Sequence, residues 1–151
     1  TPQSVEYATG VAADEPLIDY FPVGISSDDG DVDFFKPKEP GLGSHSMVNL
    51  RQSATSIRVP VRKLSTLLSE HGDDRIDLLK MDIEGAEYSV LENLEDKIEI
   101  DQIAVEFDQP VPPWRTEKLI RKLLGAGYRI MHIDGLNCLF VHDRVFGKTN
   151  S

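Results

Sequence analysis

The chain has 151 residues, one domain's worth, with 40% apolar and 28% charged residues, an ordinary globular composition. It carries a formal net charge of −10, from 16 Lys and Arg against 26 Asp and Glu. That balance gives no basic footprint for nucleic acid, and no apolar stretch is long enough to span a membrane. The single cysteine, Cys138, excludes a disulfide-stapled secreted scaffold and a cysteine-based zinc site.

The charge is uneven. Residues 1–35 hold eight acids and no Lys or Arg. This acidic stretch reads as a solvated face, with salt adaptation or a basic partner surface as the other readings. The start lacks a basic, apolar leader, and the expected compartment is the cytoplasm. The chain begins with Thr1 rather than Met, which reads as a fragment, a processed product or a trimmed chain.

Thr1 and Pro2 form a helix start, a hydroxyl cap followed by proline at the first helical position, and the helix is expected over residues 3–8 with a stop at Gly10. Residues 17–24 include Leu17, Ile18, Tyr20, Phe21 and Val23 and read as a buried strand, with Pro22 at its end or at a bulge. A turn over residues 26–30 leads to an alternating edge strand at residues 31–36. Residues 38–56 are rich in Gly, Ser and Pro and read as a long loop, a length that is often functional. A short strand at residues 57–61 precedes a helix built on Leu64, Leu67 and Leu68 that ends at Gly72.

The strongest segment follows. Residues 76–81 form a buried strand, Asp82-Ile83-Glu84-Gly85 a turn, and residues 86–93 a helix with Tyr88, Val90 and Leu91 facing a core. Residues 98–107 are a second buried strand. Pro110 to Pro113 interrupt the chain, and Thr116 is expected to cap a helix with Leu119, Ile120, Leu123 and Leu124 on one face, ended by Gly125 and Gly127. Strands at 128–133 and 136–141, joined at Asp134-Gly135, read as a hairpin. Strands alternating with helices predict a mostly parallel α/β sheet, covered on both faces, with a C-terminal antiparallel hairpin.

In open α/β sheets, ligands lie at the carboxyl ends of the strands. Two strands here end in acids: Asp82 with Glu84, and Glu106 with Asp108. Asp82, at the end of a buried strand, is the first candidate for chemistry, and burial there is expected to raise its pKa. Glu84 reads as loop solvation or a substrate contact, and Gly85 permits the tight turn. Glu87 falls in a helix's first turn, where a carboxylate serves as a cap. His45, in the long loop, is a solvated histidine or an acid/base group, whereas His71, His132 and His142 read as structural. The four strand-end acids could hold a hard cation, but their spacing is no metal motif and no metal is expected. No nucleophile elbow, zincin motif or P-loop occurs.

The segment Ile-Asp-Leu-Leu-Lys-Met-Asp-Ile-Glu-Gly-Ala-Glu, residues 76–87, resembles the hallmark of the FkbM-type methyltransferase family. Residues 23–35 resemble that family's third strand and the hairpin after it. Val59-Pro-Val-Arg-Lys-Leu resembles the strand leading to the helix before the hallmark, and Gly127-Tyr-Arg-Ile the entry to its last hairpin. The resemblance spans nearly the whole chain. It implies one partial domain over residues 1–151 with a Rossmann-like class I methyltransferase sheet, its first two strands missing. It also implies S-adenosylmethionine as the cofactor of the complete domain and methyl transfer to a hydroxyl of a small molecule or glycan.

Carried over position by position, Ile25 and Ser26 match the loop beside the adenine, and Asp82 the acid between cofactor and acceptor. Glu84, Gly85 and Glu87 complete that motif. The family's glycine-rich turn and the acid that holds the ribose hydroxyls have no counterpart here. This chain alone is therefore expected to bind the cofactor poorly and to be inactive by itself, and its exposed sheet edges are expected to drive self-association. The alternative function is a non-catalytic remnant of the fold serving as a binding or assembly module.

Overall fold

The computed structural model describes residues 2–35, 56–83, 86–107 and 111–147. Helix α1 spans Pro2–Asp14, strand β1 Gly24–Ile25, β2 Gly30–Phe35 and β3 Ser56–Arg62. Then come α2 (Leu64–His71), β4 (Arg75–Met81), α3 (Glu87–Glu92), β5 (Glu99–Glu106), α4 (Pro113–Gly125), β6 (Tyr128–Asp134) and β7 (Asn137–His142). A short 3-10 turn, Asp143–Val145, follows β7.

The strands form two mixed sheets of orders β1-β3-β2 and β4-β5-β7-β6. β1 runs parallel to β3 and β4 parallel to β5, while β2–β3, β5–β7 and β6–β7 are antiparallel. The expected α/β class holds, but the expected mostly parallel sheet does not. Both hairpins add antiparallel pairs, and β4 has no strand on its outer side among the described residues.

The core lies on one face of the larger sheet. Leu79, Met81, Ile103, Val105 and Phe140 bury against Leu91 of α3 and Leu119 and Leu123 of α4. The opposite face is open. Leu78 is 53% exposed, and Lys80, next on the same side of β4, is exposed as well. Cover on both faces was the expectation, and the helices that follow β4 and β5 supply only one layer.

Three elements depart from the sequence expectation in instructive ways. Helix α1 runs through Gly10 to Asp14. A mid-helix glycine costs about 1 kcal/mol relative to alanine, which does not end a helix whose following residues, Ala12 and Ala13, are strong formers. The buried strand expected at residues 17–24 shrinks to Gly24–Ile25, with Leu17 97% exposed. An apolar run becomes a strand only where a neighbouring ladder accepts its hydrogen bonds, and β3 pairs with Gly24 and Ile25 alone. Helix α4 starts at Pro113 with Pro112 as its cap, so Thr116 lies inside the helix. Proline at the first helical position loses no hydrogen bond, and the Thr116 hydroxyl instead meets the Tyr88 hydroxyl at 2.7 Å.

Local chemistry fixes the remaining ends. Asp29 anchors the start of α2, accepting the Lys63 N–H and the Thr66 hydroxyl, both at 2.8 Å. The backbone bond from Lys63, then that of Thr66, holds its carboxyl below the usual range. Gly72 closes α2 in the left-handed conformation, φ 75°. The β6–β7 hairpin pairs Asp134 with Asn137 across Gly135, φ 58°, and Leu136. No helix among the described residues is long and apolar enough to cross a membrane.

Candidate active site

Strand period two decides what β4 presents at its carboxyl end. Leu79 and Met81 point into the core, so Leu78, Lys80 and Asp82 share the open face. Asp82 follows the last ladder position of β4, where Met81 pairs with Val105. Its side chain is 49% exposed, and the Lys80 ammonium lies 3.7 Å away. The burial expected of this carboxylate is not found, because only the core face of the strand end is dry.

The turn after Asp82 is held from behind. Glu87 is 1% exposed, and its Oε1 accepts the backbone N–H of Ile83 at 2.8 Å. Glu87 lies in the first turn of α3, as expected of a cap, and its carboxylate reaches back to the residue four positions earlier. Ala86 is buried beneath it and accepts the Ser89 hydroxyl at 3.0 Å. Glu84 and Gly85 lie outside the described residues, as do Asp108 and His45.

The end of β5 closes the same side of the sheet. Phe107 is buried, donates its N–H to the Leu136 carbonyl at 2.9 Å, and meets the Tyr88 ring at 5.3 Å between centres. Beside Asp82's strand the open face carries a hollow of about 110 Å³, with Lys80, Ala104, Glu106, His132 and Leu139 among its lining. Ala104 lines it, while Cys138 packs against the core, where burial pushes its thiol up. The sequence assigned His132 no role beyond structure. The register that sets it opposite Leu139 is what brings it to this hollow, and a hairpin's register is visible only once its turn is fixed.

Ile25 and Ser26 occupy a different place. Ser26 is buried, and its N–H donates to the Arg62 carbonyl at 2.9 Å. With Lys63, Asn93, Glu95 and Ile98 it lines a small hollow beyond the C-terminal end of α3, while Asp82 precedes that helix's N-terminal end. Ile25 packs against the core. The two expected parts of one cofactor site therefore stand at opposite ends of α3. Among the described residues no three His, Cys, Asp or Glu side chains gather as a metal site.

The family model described as "Methyltransferase FkbM domain" matches residues 2–130. The chain belongs to this family. It is 34% identical over 94 residues to "Methyltransferase 1" of Beauveria bassiana, a match covering 60% of this chain and 38% of that protein. It is 52% identical over 85 residues to human "Probable methyltransferase-like protein 24", covering 47% of this chain and 23% of that one. The rat protein of the same name matches at 35% over 85 residues. The chain thus spans well under half the length of the curated relatives it matches. No solved structure matches it.

S-adenosylmethionine needs hydrogen-bond acceptors for its ribose, a close backbone approach for its amino-acid portion, and a wall for its adenine. Among the described residues, Asp82 is an exposed strand-end carboxylate on a fixed backbone, matched to the acid between cofactor and acceptor and not to the ribose acid. None of the positive-φ glycines among the described residues directly follows the end of a parallel strand, so they do not supply the close backbone approach. The fit rests on Asp82.

Proposed function

We propose that the chain forms part of the catalytic domain of an S-adenosylmethionine-dependent methyltransferase acting on the hydroxyl of a small molecule or glycan. The observation that carries this reading is Asp82, an exposed carboxylate at the carboxyl end of β4, within the matched family segment and on backbone fixed from both sides. In the complete domain, β4 and β5 belong to a Rossmann-like parallel sheet, and the ligand lies over their carboxyl ends.

The bound cofactor supplies an electrophilic methyl group. An acceptor hydroxyl must lose its proton as it attacks, and Asp82 accepts or shares that proton. Lys80, 3.7 Å from Asp82, places a positive charge beside the carboxylate on the open face. Glu84 is the second candidate for the same proton, and His45 the third. Ile25 and Ser26 are proposed to lie beside the adenine, which requires that the complete domain draw β1 toward the Asp82 end of α3.

A second reading is a binding or assembly module without catalysis. It is favoured by the separation of Ser26 from Asp82 at the two ends of α3. One experiment distinguishes the two. The full-length protein is incubated with methyl-labelled S-adenosylmethionine and panels of hydroxylated small molecules and glycans, and products are read by mass spectrometry. Labelled methyl on an oxygen supports the enzyme. Failure of every acceptor, together with no binding of S-adenosylhomocysteine in calorimetry, supports the module.

A further inference from the structure

Glu87 is the one buried acid among the described residues, with 1% of its surface exposed. Burying a carboxylate costs several kcal/mol unless hydrogen bonds compensate it. Its Oε1 accepts the N–H of Ile83 at 2.8 Å. That N–H belongs to the planar peptide unit whose carbonyl is that of Asp82. Holding it therefore fixes the rotation of the backbone on the C-terminal side of Asp82. On the N-terminal side, the Met81–Val105 pair of the parallel ladder fixes the chain. The Asp82 backbone is thus clamped between a sheet and a buried carboxyl side chain, and its side-chain torsions remain free.

The 3.7 Å approach of Lys80, with both side chains about half or more exposed, is too loose and too solvated to do this job. We propose that Glu87 is a positioning residue: through the Ile83 amide it aims the Asp82 carboxylate at the ligand. The inference rests on the reading above, in which Asp82 contacts the cofactor or the acceptor. A helix cap would only stabilise α3; a positioning residue also sets the affinity of the site.

The test uses the full-length protein, S-adenosylhomocysteine as the probe, and amide exchange read by NMR. Glu87→Gln keeps an acceptor oxygen, so the Ile83 amide stays protected and affinity is close to that of the parent. Glu87→Met keeps the shape without an acceptor. The Ile83 amide then exchanges fast while Ile103 and Val105 in β5 stay protected, and affinity falls about tenfold or more. Asp82→Asn also weakens binding, and adding Glu87→Met to it weakens binding no further.

Additive losses, or an unchanged affinity in Glu87→Met alongside a weakened Asp82→Asn, overturn the positioning role and leave the reading of Asp82 standing. An unchanged affinity in Asp82→Asn overturns the reading of Asp82 and the positioning role with it. Should Glu87→Met fail to fold, Glu87→Asp replaces it. Its carboxylate falls one methylene short of Ile83, and parent affinity with a fast-exchanging Ile83 amide overturns the proposal.

Discussion

Arg115 at the start of α4 grips Glu92 at the end of α3 with two hydrogen bonds of 2.8 Å, one from Nε and one from a terminal nitrogen. The same guanidinium lies 5.0 Å from the centre of the Tyr88 ring. A planar fork meeting a carboxylate in this way is the strong form of an ion pair, and here it joins the helix after β4 to the helix after β5. It thereby sets the relation between the two strand ends that carry the candidate site.

That pair predicts an acid-sensitive fold. The Arg115 hydrogen bonds hold the Glu92 carboxyl below the ordinary glutamate range, against the opposing effect of burial. A depressed folded-state pKa contributes stability that is present above the unfolded value and lost as pH falls through the folded one. Both side chains are 34% exposed, so solvent screening limits the effect. Arg115→Lys breaks the fork and should cost about 1 kcal/mol at neutral pH. Thermal melts should show the parent and Arg115→Lys converging as pH drops below the glutamate range. Parallel melting curves at all pH values would show that the fork does not contribute.

Gly127 predicts a second, pH-independent loss. Its φ is +93°, and a Cβ there would lie 3.2 Å from His142 Nε2. Its carbonyl also accepts the Asp143 N–H at 2.8 Å, tying the entry of β6 to the exit of β7. Gly127→Ala adds backbone strain and a crowded imidazole, together about 1–3 kcal/mol. Chemical denaturation should show a lower midpoint with an unchanged slope.

Leu78 predicts association. It sits 53% exposed on β4, an edge strand of the larger sheet, on the same open face as Lys80. An exposed edge with an apolar side chain is a template for pairing. Light scattering of this 151-residue chain should show dimers or larger species, and Leu78→Lys should shift it toward monomer. A monodisperse monomer at high concentration would remove sheet edges as a route to self-association.

What was legible in the sequence tracks where local and tertiary signals agree. β4, α3, β5 and the hairpin were placed nearly to the residue because their apolar periodicity matches the surface they bury. Met81 and Leu79 read as core and are core. Leu79's neighbour Leu78 is exposed instead, because two adjacent apolar residues of a strand point to opposite faces and the sequence hides which face the sheet leaves bare. Residues 17–23 failed for the complementary reason: their composition suits a buried strand, but a strand is a pairing and not a property of one segment. Within the site, Asp82 was legible from its place after a strand. The backward reach of Glu87 was not. Spacing of four residues reads as a cap, and only burial distinguishes a carboxylate that serves a helix from one that holds a turn.

Asp82 carries the last prediction. Methyl transfer to oxygen needs in-line geometry and the loss of the hydroxyl proton. A carboxylate on a sheet-fixed backbone supplies a proton acceptor at a defined place, and its 49% exposure gives that proton a path to water once transfer is complete. Asp82→Asn keeps the size and the hydrogen-bonding oxygen but removes the basic lone pair. In the full-length protein, with an acceptor found by the labelled-methyl screen, it should lower kcat by about 10²–10⁴-fold. Melting should barely change, because the side chain lies half exposed on the open face, where its ion pair among the described residues is the loose 3.7 Å one with Lys80. Glu84→Gln should cost less, and His45→Ala least, since both must reach the reacting oxygen from outside the strand. Near-parent turnover in Asp82→Asn, with turnover abolished in Glu84→Gln or His45→Ala, would move the proton to one of those residues and leave Asp82 as a contact for the ligand alone.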